Sequence, residues 1–473
     1  MKNARIILSK LAHSQRVKSF RTNAALILVT LMLLIAAATT AASAQTYSVV
    51  YNFGDRLGHP QDILAQGRDG NLYGTSGYGC GAVYRITPGG ALRRLHQFNC
   101  GIEGVPTSGL TLGTSGNFYG TTANGGANNL GTIFKITASG GLTTLYSFTG
   151  GADGLWPLAV PIQGTDGNFY GTTSDFPYEG FGTAYKITPS GTFTLLGSLP
   201  GGSYAPLLQA TDGTFYGTTE YDGHGLGMGT VFEMTANGIV TTVYNFDGTH
   251  GSYPYAPVIQ GNDGNFYGTT SYGGSYVGGV VFKLTPQGAI TVLHNFDPNS
   301  GDGYNPTVGL VQATDGNFYG VTWYGGTGAC GSGCGVIFQI TPAGAYSILY
   351  NFHGVHGTYP LSAPMQHSNG KIYGLTSLGG DHNSGVVYSL DMGLGPFVSL
   401  LSTTGKIGKT VEILGQGFTG TTAVSFNGTA ATFTIKSDTY LKATVPPGAT
   451  TGFVTVTPPT GTLTSNKPFR VKP

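Results

Sequence analysis

An eight-residue phrase, Asp-Gly-Asn-Phe-Tyr-Gly-Thr-Thr, limits what this chain can fold into. It is intact at residues 166–173 and 263–270, and recurs with one change at 315–322. Its tyrosine returns at Tyr73, Tyr119, Tyr170, Tyr216, Tyr267, Tyr319 and Tyr373, in steps of 46, 51, 46, 51, 52 and 54 residues. A period near fifty with strand-like content predicts a propeller or a similar closed array.

Each period carries three further pieces. A Gly-x-Val-Phe-x-Ile-Thr strand recurs at 132–137, 183–188, 230–235, 280–285 and 336–341, and a Leu-Tyr-x-Phe strand at 145–148, 243–246, 293–296 and 349–352. A short apolar strand ends in glutamine. With the phrase itself this makes four strands per repeat, the content of a propeller blade. Residues 47–53 form a Leu-Tyr-x-Phe-type strand ahead of the first phrase, and no such strand follows the last one. The first strand is therefore expected to complete the last sheet, giving seven blades and no free edge.

Phe and Tyr stand side by side because both faces of a blade are buried. The following glycine is expected to make room for an aromatic of the next blade. Asp-Gly-Asn reads as a hairpin turn.

After Gly395 the repeat stops. Shorter alternating strands with turn signals about every ten residues suggest an immunoglobulin-like sandwich over 396–473. The expected fold is all-β: a seven-bladed β-propeller over 45–392 followed by that sandwich.

The first 44 residues are basic, carry an apolar run at 24–38, and end in Ala42-Ser43-Ala44, a small-x-small cleavage pattern. We read 1–44 as a Sec-type signal, giving a periplasmic or extracellular protein. Beyond it, 16 Lys and Arg face 21 Asp and Glu, so no basic stripe points to nucleic acid. No apolar segment of membrane-spanning length follows. The four cysteines of an exported chain are expected to pair as Cys80–Cys100 and Cys330–Cys334.

Through these phrases the repeat resembles the GloVer tandem repeat of exported bacterial proteins, over roughly 47–391. Residues 396–473 resemble an IPT/TIG domain through 408–418, 424–428 and 445–447. The first resemblance carries no settled activity. The second implies an immunoglobulin-like spacer or interaction module.

Features present in every repeat belong to the fold. The aspartates Asp69, Asp166, Asp212, Asp263 and Asp315 are read as turn residues. Gln66, Gln163, Gln209, Gln260, Gln312 and Gln366 are expected to form a collar at one end of a central channel, with Leu112 in the seventh place. Such a collar could tie strand ends together or bind a small polar ligand.

Features that vary between equivalent loops are the better ligand candidates. Trp156, Tyr178, Tyr204, Tyr221, Tyr253, Tyr272, Tyr304, Trp323, Tyr324 and Tyr359 fall in loops expected on one face. Aromatic platforms with polar edges suit sugar rings or peptides. No catalytic triad, P-loop, facing carboxylate pair, cofactor motif or metal-ligand cluster stands out. His250, His353 and His356 lack a carboxylate pair at useful spacing. The expectation is a binding protein for extracellular polysaccharide or protein. A metal-dependent lyase or hydrolase and a self-associating structural protein are the alternatives.

Overall fold

The structure is a computed structural model describing residues 45–54, 57–174, 181–221 and 227–472. The expected signal segment lies outside the described residues. Residues 46–473 form one compact unit. The described residues are all-β, and their one helical element is a 3-10 turn at Gly354–His356.

Six antiparallel four-stranded meanders follow one another. Sheet 1 runs Pro60–Gln66, Leu72–Ser76, Ala82–Ile86 and Leu92–Gln97, and sheets 2 to 6 repeat that order up to Asn351. Sheet 7 begins with Met365–Gln366, Ile372–Leu378 and Val386–Asp391. Its outer strand is Thr46–Asn52 from the opposite end of the chain, antiparallel to Val386–Asp391. In each sheet the second and third strands are buried, whereas the fourth is half exposed.

Asp166 accepts from the Asn168 backbone N–H (3.1 Å), its side-chain amide (2.7 Å) and the Tyr170 hydroxyl (2.9 Å). Asp69, Asp263 and Asp315 do the same in their own turns. Gly167 between them adopts φ 87°, where a side chain would be strained.

Phe and Tyr point to opposite faces of their strand. Five of the tyrosines therefore pack their rings, stacked or tilted, on the phenylalanine of the next sheet: Tyr73 on Phe118, Tyr119 on Phe169, Tyr170 on Phe215, Tyr216 on Phe266 and Tyr267 on Phe318, with centroids 3.7–4.2 Å apart. Aliphatic residues take over at the last two junctions, where Tyr319 shares a core with Ile372 and Tyr373 with Leu72.

The glycine after the tyrosine corrects the sequence expectation. The aromatic above it comes from the third strand of its own sheet, not from the next one. A Cβ on Gly171 would lie 2.3 Å from the Tyr185 hydroxyl, and one on Gly120 would lie 2.6 Å from the Phe134 ring. The register pairs Gly171 with Tyr185 and Gly120 with Phe134.

The first threonine reaches the next sheet: Thr75 Oγ1 donates to Ser108 O (2.7 Å) and Thr218 Oγ1 to Ala256 O (3.0 Å). The second bonds across its own sheet, as Thr173 does with Thr183 at 2.7 Å.

Residues after 395 build two further four-stranded sheets. One holds Thr410–Leu414 and Tyr440–Thr444 at its centre; the other holds Ala423–Phe426 and Val454–Thr457. Ile413, Leu441, Phe426, Val456 and Phe469 form their shared core. Both cysteine pairs are disulfide-bonded, Cys80–Cys100 and Cys330–Cys334.

Candidate functional site

A cavity of about 570 Å³ takes a wall residue from every one of the seven sheets: Ile63, Thr107, Leu158, Ala205, Ala256, Thr307 and Ala363. These residues lie at or just before the first strands, so the inner strands surround a common opening. The collar glutamines stand at the opposite end of those strands.

The rim is aromatic. Tyr204, Tyr255, Tyr272, Trp323 and Tyr324 line it, with Asn305 among them. Tyr204 meets Tyr255 edge-on at 5.9 Å, Trp323 lies 6.1 Å from Tyr324, and Tyr324 meets Tyr304 at 5.5 Å and Tyr359 at 5.8 Å. Tyr253 bridges Tyr221 and Tyr272 at 5.6 and 5.9 Å. Tyr221 and Tyr272 are exposed.

A buried carboxylate anchors one side. Glu220 accepts from the Tyr255 hydroxyl. Burial first, then the charge and hydrogen bond of Glu220, push the Tyr221 and Tyr255 phenols above the ordinary tyrosine range. Burial likewise raises Tyr204. These hydroxyls therefore stay protonated at neutral pH, that of Tyr255 donating to Glu220.

Several loop residues sit on a strained backbone. His59, Trp156, Tyr253, Asn305 and Tyr359 each precede a proline and adopt φ between 53° and 58°. The residue before proline prefers extended backbone, and a non-glycine residue at positive φ is uncommon. Each is held by its backbone N–H, which donates to the preceding sheet's loop, as Trp156 does to Leu130 O (3.0 Å) and Tyr253 to Met228 O (2.8 Å).

Not every candidate reaches the mouth. Trp156 lines a neighbouring groove with Asn124, Asn128 and Leu130, which shares Thr107 and Leu158 with the central cavity. Tyr178 lies outside the described residues. Tyr255 and Glu220 were missing from the aromatic set read from the sequence. The signal for Tyr255 was present: Tyr204-Ala205-Pro206 aligns with Tyr255-Ala256-Pro257, so Tyr255 and not Tyr253 is the counterpart of Tyr204.

The glutamines do structural work. Thr114 N donates to Gln163 Oε1, Thr165 N to Gln209, Thr211 N to Gln260, Asn262 N to Gln312, Thr314 N to Gln366 and Ser368 N to Gln66, at 2.8–3.0 Å. Each glutamine thus clamps its sheet to the one before. The seventh junction has Leu112 and no such clamp. There the Arg68 guanidinium crosses instead, donating to Thr114 O at 2.6 Å and pairing with Glu412 of the C-terminal sheets.

Among the described residues, no three His, Cys, Asp or Glu side chains come together in a metal-binding group. His96–Glu103, His250–Asp247 and His294–Asp302 are local pairs at three different places along the chain, and the Asp247 partner of His250 was not foreseen from spacing. None of these residues lines the mouth.

The family model of the Gloeobacter/Verrucomicrobia repeat matches residues 38–206 and 202–435. The chain belongs to this repeat family. The second match runs beyond the last repeat of the sheets into the C-terminal strands. No curated protein matches the chain. Among solved structures, a fungal alcohol oxidase of the AA5 family, determined with copper, is 13% identical with a TM-score of 0.50. The match covers 90% of this chain and 99% of the oxidase. PorZ, a surface component of the type-IX secretion system of Porphyromonas gingivalis, is 14% identical at a TM-score of 0.45, covering 85% of this chain and 58% of PorZ. Puromycin hydrolase is 14% identical at 0.44, covering 68% of this chain and 50% of its own. The likeness is one of fold, a propeller-type arrangement of sheets.

Proposed function

We infer that this repeat protein is an exported, non-catalytic binding protein that takes polyhydroxylated ligands, extracellular polysaccharide foremost, at the aromatic mouth. One observation carries the reading. Tyr204, Tyr255, Tyr272 and the adjacent pair Trp323-Tyr324 come from four separate segments yet border one cavity of about 570 Å³, within the size range of ligand sites. Their ring faces suit stacking on the apolar faces of sugars, while protonated phenols and the Asn305 amide can bond hydroxyl groups.

Around this site the architecture we favour is a seven-bladed propeller closed by the Thr46–Asn52 strand, followed by an immunoglobulin-like IPT/TIG-type module. Inner strands from seven sheets around one opening support the first part; two sheets about one core support the second. Two disulfides fit an oxidising compartment, hence export. No helix among the described residues is long and apolar enough to cross a membrane.

The test is a titration of the protein with a panel of neutral oligosaccharides, read by tryptophan fluorescence. A saturable change should vanish in Trp323→Ala and persist in Trp156→Ala, because only Trp323 borders the central cavity. A flat response across the panel, or a response lost only with Trp156, would overturn the assignment.

A further inference from the structure

Charge is distributed unevenly along this chain. Residues 396–473 carry seven Lys and Arg against two Asp and Glu, whereas residues 45–395 carry nine against nineteen. Docking by simple charge complementarity would match module lysines with carboxylates of the repeat sheets. The observed seam differs: it holds an ion pair of the opposite polarity, Arg68 of sheet 1 with Glu412 of the module.

Beside that pair lies a second cavity, of about 660 Å³, between the turns of sheets 2 to 4 and the module. Four lysines line it: Lys406, Lys409, Lys442 and Lys472. Lys442 is 3.0 Å from Glu412, and Lys472 reaches only a hydroxyl, Thr165 Oγ1, at 3.1 Å. Lys406 and Lys409 are exposed and make no ion pair among the described residues. The one lining carboxylate from the repeat sheets, Asp166, already accepts from Asn168 and Tyr170. Glu412 is shared between Arg68 and Lys442. The cleft therefore holds an excess of positive charge with its negative groups already committed, beside the hydroxyls of Ser402, Thr403 and Thr404.

We propose that this cleft binds a ligand bearing several anionic oxygens, carboxylate or phosphate, held by Lys406, Lys409 and Lys472. Lysines act as point charges without the fixed fork of arginine, which suits charges spaced along an oligomer better than one planar group. The site is separate from the aromatic mouth, since the two cavities share no lining residue.

Calorimetric titration of the protein with trigalacturonate and, separately, inorganic tripolyphosphate tests the proposal. Saturable binding of at least one is expected, weakening with added salt. It should drop about tenfold or more in the Lys406→Gln/Lys409→Gln double variant, roughly the loss of 1.4 kcal/mol. Binding of trigalacturonate alone assigns a carboxylate ligand, and of tripolyphosphate alone a phosphate ligand. Lys436→Gln, a module lysine outside the cleft, should leave the affinity unchanged. Failure of both probes to bind, or equal weakening by Lys436→Gln, overturns the proposal.

Discussion

Arg68 and Glu412 meet at the one sheet junction where leucine replaces the clamping glutamine. The guanidinium thus serves two seams: it bridges sheet 1 to sheet 2 and fastens the C-terminal module below them. Thr439 adds a bond from the module to Arg68 O at 2.7 Å.

Removing Arg68 should consequently cost more than removing an ordinary surface arginine. Arg68→Thr leaves Glu412, which is almost buried, with Lys442 as its remaining ion-pair partner, and should lower unfolding stability by about 1.5–3 kcal/mol. The double variant Arg68→Thr/Leu112→Gln rebuilds the clamp found at the other junctions and should recover part of the loss. Urea unfolding of the three proteins measures this; no recovery would mean that the glutamine ring is not a shared device.

Gly171→Ala tests the correction made within the sheets. The added methyl would collide with Tyr185 on the facing strand, and overpacking of this kind costs about 1–3 kcal/mol. Gly171→Ala combined with Tyr185→Ala should be less destabilised than the two single losses predict. Strict additivity in thermal unfolding would contradict the contact.

Acid should weaken the fold through the turn aspartates. Burial tends to raise these carboxyls, but their hydrogen bonds outweigh it. Asp153 is held below the usual range by Thr149 and Tyr146, and Asp166 by Asn168 and Tyr170. Asp263 is lowered to about 2 by Lys283, Asn265 and Tyr267. A depressed carboxyl stabilises the folded state above its unfolded value near ~4, and that contribution fades as pH falls through the folded value. The urea midpoint should therefore hold steady down to about pH 5 and fall between roughly pH 4 and 2. Asp263→Asn should lessen the fall, and an unchanged pH profile would count against the role assigned to this turn.

The two disulfides should contribute unequally. Cys80–Cys100 closes a loop with a sequence separation of 20, Cys330–Cys334 one of only 4. In the loop-entropy account the longer bridge contributes about 3 kcal/mol and the shorter one less. Replacing each pair by alanine and comparing melting temperatures should give the larger drop for Cys80/Cys100.

The strand content, the return of Thr46–Asn52 to the last sheet and both cysteine pairs could be read from the sequence. They rest on local repetition: where Phe-Tyr or the Asp-Gly-Asn turn recurs, each copy performs the same task. The mouth was less legible. Tyr253 and Tyr255 are two residues apart, and only the Tyr-Ala-Pro match with Tyr204-Ala205-Pro206 separates them in the sequence. Because Tyr253 takes a left-handed turn before Pro254, its neighbour two places on becomes the partner of Tyr204. The docking of the module was illegible, because Arg68 and Glu412 are 344 residues apart and neither belongs to a repeated pattern.

The pairing of Thr46–Asn52 with Val386–Asp391 sets an order of events. The Thr46–Asn52 strand can find its partner only after the strands of sheets 1 to 6 have been made. Until it arrives, the third strand of sheet 7 has an open edge on which a segment of another molecule with the same alternation could settle. Pairing with a strand from the other end thus covers this edge only in a chain made through Asp391.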